Sequence, residues 1–199
     1  MNWVSKIFKS NKPEKSIAPN KSTKEYFEGY DTFKVGQQLT KDAVLDKSLS
    51  AERRRQKTIA ALEFLDQAIQ KGYDEAEAFA LRVSVLRDLD YDIDALNDYN
   101  ICIDKNPNKA SYYYARALTK QFIYDYSGSL ADFKEAIRLS KLDNDDTRYW
   151  NDYALQTGFN SATEKYKMDM QFLLQAMDRP KGIIESLQAE KNNSIQRRK

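Results

Sequence analysis

The chain contains no histidine and one cysteine among 199 residues. That removes zinc sites built from Cys and His, Ser-His and Cys-His catalysis, and any imidazole-based pH switch. One thiol forms no intrachain disulfide, which fits a reducing compartment, and the expected localisation is cytoplasmic. Gly (6) and Pro (4) are too scarce to serve the many turns of an all-β protein of this length. No run of 18 apolar residues is present to span a bilayer. Residues 1–10 lack the apolar run and small-residue cleavage site of a secretory signal.

What remains is a chain of 41% hydrophobic and 12% aromatic residues, enough to bury a core, and rich in good helix formers. The expected class is all-α. Its net charge of +2 hides a segregation of sign. Residues 1–24 hold six Lys against one Glu, and residues 191–199 hold four basic residues and no acid, which leaves −7 for the body between them. An acidic body argues against a nucleic-acid-binding core.

Residues 76–142 match themselves at a shift of 34. Phe79 aligns with Tyr113, Arg82 with Arg116, Leu96 with Leu130, Asp98 with Asp132, Tyr99 with Phe133 and Ile103 with Ile137. A period of that length built from two helical patterns specifies stacked helical hairpins, each burying its apolar face on the next. The spacing predicts helices over 76–88, 93–104, 110–123 and 127–139. Pro107 closes the first hairpin and lets the second begin. Upstream, Ser50 caps a helix that Gly72 ends, with Ile59, Leu62, Leu65, Ala68 and Ile69 at helical spacing. Its expected partner is a short helix in 42–50. Residues 24–39 are aromatic but broken by Gly29 and Gly36, and are expected to form a short helix or turn capping the first hairpin. Downstream, Trp150, Tyr153 and Ala154 stand in the phase of Tyr113, Arg116 and Ala117, and a long helix follows over 161–177. Pro180 stops it. Ile183, Ile184 and Leu187 suggest a short capping helix.

These repeats resemble the tetratricopeptide family. Phe79, Ala95, Tyr99 and Pro107 fill its large, small, aromatic and terminal slots in one unit, and Tyr113, Ala117, Tyr126, Phe133 and Ala136 match in the next. Val83 and Ser129 depart from its usual Gly and Ala. The resemblance implies an all-α array of about three to four helical hairpins with a C-terminal capping helix over residues 24–190. An amphipathic start and flexible basic linker occupy 1–23, and a disordered basic tail occupies 191–199. It also implies a noncatalytic adaptor or scaffold that grips a peptide or helix of a partner protein on the concave face of its first helices.

The repeated Arg and Asp are expected to form ion pairs within each hairpin, and Cys102, which stands where other units have Ala68 and Ala136, to be an inert core thiol. Counting outward from each first helix leaves Arg87, Tyr114, Leu118, Gln121 and Phe122 as candidate partner-binding residues, because aromatic anchors dominate interface energetics. The Lys and Asn clamp by which some relatives hold acidic chaperone tails is missing at Ala80, Ser84, Ser111 and Ala115. A second candidate site is Trp3, Val4, Ile7 and Phe8, one apolar face of a possible helix, which offers contact with a membrane surface or a partner. The triplet Arg53, Arg54 and Arg55 is read as a solvated helix face. Asp143, Asp145 and Asp146 fall in no metal-loop or acid-base pattern, so no cofactor, metal or catalytic residue is assigned.

Overall fold

In a computed structural model, residues 23–142 and 145–178 are described. They form eight α-helices: α1 (Thr23–Leu45), α2 (Ala51–Gln70), α3 (Ala76–Asp88), α4 (Asp92–Lys105), α5 (Ala110–Phe122), α6 (Tyr126–Leu139), α7 (Asp145–Gln156) and α8 (Ala162–Met177). No strand occurs among the described residues. The helices of the two clear repeats lie within a residue or so of their expected bounds, and the fold is the expected tetratricopeptide-like helical-hairpin array. The segments 1–22, with Trp3, Val4, Ile7 and Phe8, and 179–199, with the expected capping helix and tail, lie outside the described residues.

Tertiary contacts divide the chain into two compact units, residues 1–102 and 103–199, with the boundary inside α4. In the first, α1 and α2 form an antiparallel hairpin and α3 lies against α2. The apolar core joins Tyr26, Tyr30 and Phe33 of α1 to Leu65 and Ala68 of α2 and to Leu81 and Val85 of α3. Tyr73, in the turn before α3, is wholly buried at its centre. Its ring lies 5.3 Å from Tyr26, 5.4 Å from Tyr30 and 5.0 Å from Phe33. Each such buried aromatic contributes about 2–3 kcal/mol of transfer free energy.

Here the structure corrects the sequence-based expectation. Residues 24–39 are no short lid, and the first helix of the leading hairpin is not confined to 42–50. A single 23-residue helix, α1, takes both roles. The glycines taken as breaks are points of close approach. A Cβ at Gly29 would lie 2.8 Å from Tyr73 Cβ and 2.9 Å from the Ala68 carbonyl oxygen, and one at Gly36 would lie 3.0 Å from Leu65 Cγ. They stand seven residues apart, two helical turns, on the face that α2 crosses.

Ser50 caps α2 as expected, its Oγ accepting from the Arg53 amide. Gly72 ends the helix with φ 100°, and the Tyr73 amide reaches back 2.9 Å to the Ala68 carbonyl. The same six-residue reversal ends three first helices: Tyr91 to Leu86 (2.8 Å), Asp125 to Lys120 (2.9 Å) and Phe159 to Ala154 (2.9 Å). The left-handed residues there are Asp90, Tyr124 and Gly158. They recur at the 34-residue period although only one of them is glycine.

The repeated residues assemble as one structural unit in each hairpin. Arg82 Nε and Nη2 donate to the two carboxylate oxygens of Asp98, both at 2.7 Å, and Arg116 does the same to Asp132 at 2.8 and 2.7 Å. Each guanidinium also lies over the repeated ring, Arg82 5.4 Å from Phe79 and Arg116 5.6 Å from Tyr113. The expected intrahairpin pairs are therefore present, and each is extended differently. Arg82 Nη1 takes a second carboxylate, Asp66 of α2, at 2.6 Å, whereas Asp132 takes a second cation, Lys120, at 2.8 Å. Ser129 is buried where an Ala is usual, and its hydroxyl donates to the Ala117 carbonyl at 2.8 Å. Cys102 is buried, its Sγ 3.5 Å from the Ala76 carbonyl.

In the second unit the packing differs from the phase read in the sequence. Trp150, Tyr153 and Ala154 put α7 in the position of a first helix, yet the helix laid against α6 is α8. Tyr114 near the start of α5 stacks on Tyr166 near the start of α8, and Gln121 and Phe122 at the end of α5 share a groove with Phe172 and Ala176 near the end of α8, so the two helices run parallel. Ser140, just past the end of α6, meets Thr163 at the start of α8 (2.7 Å), so α6 and α8 run antiparallel. That is the relation α3 bears to α1 and α2 in the first unit. Helix α7 packs on α8 and α5, and its Asp146 accepts from the amide (3.1 Å) and hydroxyl (2.7 Å) of Ser111 in the first turn of α5.

Candidate partner-binding groove

The candidate residues of α5, Tyr114, Leu118 and Phe122, lie one helical turn apart on one face of the helix, and the Tyr114 ring meets Phe133 of α6 edge-on at 5.9 Å. Their environments differ. Tyr114 is 6% exposed. Its ring stacks on Tyr166 at 4.2 Å, and its hydroxyl donates to Asp169 Oδ2 at 2.6 Å. Burial first, and then that carboxylate, push the Tyr114 phenol well above its usual range. Leu118 is half-buried against the same core. Both residues therefore serve the α5–α8 interface, and a partner reaches the Tyr114 ring only by displacing α8. This corrects their assignment as direct contacts. Tyr114 lies between Phe133 of its own hairpin and Tyr166 of α8, and is covered by both.

Toward the C-terminal end of α5 the cover ends. Phe122 is 56% exposed and Gln121 half-buried. With Tyr126 of α6 and Phe172, Leu173 and Ala176 of α8 they line an open groove of about 260 Å³. Phe172 is 57% exposed and Leu173, beneath it, is closed off at 2%. The groove thus has a rigid apolar floor and two exposed aromatic rims, one on each helix. Phe172 was not singled out in the sequence. The signal was available in the run Met168, Phe172 and Ala176 at intervals of four, once α8 is known to use Tyr166 and Leu173 for its core face.

Arg87, the remaining candidate, belongs to the other unit. It sits half-buried in the last turn of α3, where a cation suits the negative end of the helix dipole. Among the described residues no group of three or more Cys, Asp or Glu side chains is placed to hold a metal ion, and no helix is long and apolar enough to cross a membrane. Arg53, Arg54 and Arg55 are exposed in the first turn of α2.

No protein-family model matches the chain, and no curated protein matches it. Among solved structures, a tetratricopeptide repeat protein from Parabacteroides merdae is similar at 19% identity, over 84% of this chain and 72% of that chain, with a TM-score of 0.42.

Proposed function

We propose that the protein is a noncatalytic interaction module of the tetratricopeptide type, which holds a peptide or helix of a partner protein against α5 and α8. The observation that carries this reading is the pair Phe122 and Phe172, two aromatic side chains each more than half exposed on the rims of one groove. Exposed rings over a fixed apolar floor are the arrangement from which interfaces draw most of their energy. Gln121 supplies a polar contact that fixes the orientation of a bound backbone. Tyr114 and Leu118 support the wall from behind.

The test is site-specific photocrosslinking. A photoreactive phenylalanine at position 122 is expected to capture a discrete partner in the native cell. The same partner is expected to be lost from the Phe122→Ala/Phe172→Ala variant while helicity and thermal stability are retained. Partners that survive the double substitution in a folded protein would place the binding surface elsewhere.

A further inference from the structure

We propose that the groove takes an arginine side chain of the partner as its anchor, an inference that rests on the reading of this groove as a partner-binding surface. Three of its six lining residues are aromatic: Phe122 of α5, Tyr126 at the start of α6 and Phe172 of α8. The face of an aromatic ring is negative, and it attracts a cation, arginine more often than lysine. Several rings round one opening hold such a group from more than one side. At about 260 Å³ the groove is smaller than the pockets of about 300–1,000 Å³ that enclose a whole small molecule, and it suits a single long side chain.

An apolar anchor would also fit the rings, and the charges decide between the two. Helices α5 and α8 run parallel, and the groove lies at the C-terminal end of both. Gln121 and Phe122 close α5, and Phe172, Leu173 and Ala176 stand in the last two turns of α8. The negative ends of two helix dipoles therefore lie side by side, each equivalent to about half a charge. Helix α8 has no basic residue in its last turn, and the one in α5, Lys120, is held by Asp132 at 2.8 Å. Two carboxylates add charge of the same sign: Asp178, exposed at the C-terminal cap of α8, and Asp125, which caps α6 beside Tyr126. The cations of α8, Lys165 and Lys167, stand in its first half, Lys165 3.0 Å from Asp169. The field at the groove is thus negative, and no lining residue carries a charge to answer it. A guanidinium does so while its plane stacks on the rings and its apolar stem lies on Leu173 and Ala176.

The test uses the full chain and a tripeptide with blocked ends, an arginine between two alanines, against the same peptide with citrulline or leucine at the centre. Citrulline keeps the shape of arginine without its charge. Titration followed by the nuclear magnetic resonance signals of the Phe122 and Phe172 rings is expected to show arginine bound about three- to tenfold more tightly than citrulline, and more tightly than leucine. Asp178→Lys, an exposed change outside the groove lining, should weaken the arginine peptide by about twofold or more and leave the leucine peptide unaffected. Arg179→Gln/Lys181→Gln, which removes the cations next in sequence, should leave the arginine affinity unchanged or raise it. Citrulline or leucine bound as tightly as arginine, rings that do not respond, an arginine affinity indifferent to Asp178→Lys, or one that falls in Arg179→Gln/Lys181→Gln would overturn the proposal. A partner captured at position 122 while leucine outcompetes arginine sinks this inference and leaves the proposed function standing. Arginine-selective binding with no partner captured does the reverse.

Discussion

Tyr114 and Tyr166 hold the fifth position in two parallel helices, and their rings stack 4.2 Å apart at 22°. Their hydroxyls meet opposite fates. That of Tyr114 donates to Asp169, while that of Tyr166 is buried with no hydrogen-bond partner among the described residues. Tyr114→Phe should therefore cost about 1.5–3 kcal/mol, the worth of a bond to a charged acceptor, whereas Tyr166→Phe should be neutral or add up to about 1 kcal/mol. Urea unfolding of the two variants measures the difference. Equal losses would mean that the Tyr166 hydroxyl has a partner of its own.

The two Arg–Asp pairs should respond differently to removal of the cation. Arg82→Met strands two carboxylates, Asp66 and Asp98, whereas Arg116→Met leaves Asp132 with Lys120 at 2.8 Å. Asp66 is 44% exposed and water replaces its lost partner, so the cost of Arg82→Met, about 3–5 kcal/mol, comes from buried Asp98, and Arg116→Met should cost less because Lys120 stays with Asp132. Replacing Arg116 and Asp132 together by Met and Leu should cost less than Asp132→Asn alone. A double-mutant cycle that shows no coupling at this position would refute the pairing.

Gly29 and Gly36 should separate although both lie within α1. Alanine gains about 1 kcal/mol of helix propensity at either site. At Gly29 the new methyl meets backbone and Cβ atoms that cannot withdraw, so Gly29→Ala should be destabilising by about 1–3 kcal/mol net. At Gly36 it meets Leu65 Cγ at 3.0 Å and the Ala61 carbonyl at 3.3 Å, a smaller overlap, so Gly36→Ala should cost less than Gly29→Ala. Thermal melts of the two variants decide this.

Stability should fall in alkali. Burial raises the phenols of Tyr73, Tyr114 and Tyr166, and burial together with nearby Glu75 raises Tyr26 from 10.0 to about 12. In each case the folded value lies above the unfolded one. The folded protein then keeps protons that the unfolded chain releases. The contribution is complete below about pH 10 and is lost as pH rises from there through the folded values, at up to about 1.4 kcal/mol per pH unit for each tyrosine. Urea midpoints from about pH 9 to about pH 11 should decline, and Tyr73→Phe/Tyr114→Phe should flatten the slope. A midpoint independent of pH over that interval would contradict the assignment.

The hairpins from α3 to α6 were legible because their signals are local. Pro107 punctuates, Phe79 and Tyr113 repeat with Arg82 and Arg116, and a side chain three or four positions away on a helix meets the same neighbour in every unit. What was not legible depended on contacts made by distant chain. Glycine in a helix reads as a break unless the backbone that approaches it is known, so α1 was seen as fragments around Gly29 and Gly36. The phase of Trp150 and Ala154 marked α7 as a repeat helix, but sequence phase cannot say which of two successive helices will lie against α6. Tyr114 shows the same limit within one residue. Its place on the helix follows from α5 alone, whereas its burial depends on Phe133, Tyr166 and Asp169, and α5 holds no trace of them.

The carboxylate of Asp146 serves the amide of Ser111 across 35 residues of chain. Lys109, the residue in position to cap α5 locally, makes no side-chain cap. The first turn of one helix is thus completed by a residue synthesised a full repeat later. The second unit is therefore closed from its far end: α5 reaches its final hydrogen-bond complement only when α7 has docked, and loosening α7 uncaps α5. Such a fastening couples the outer helices to the inner hairpin, so that losing the one should weaken the other.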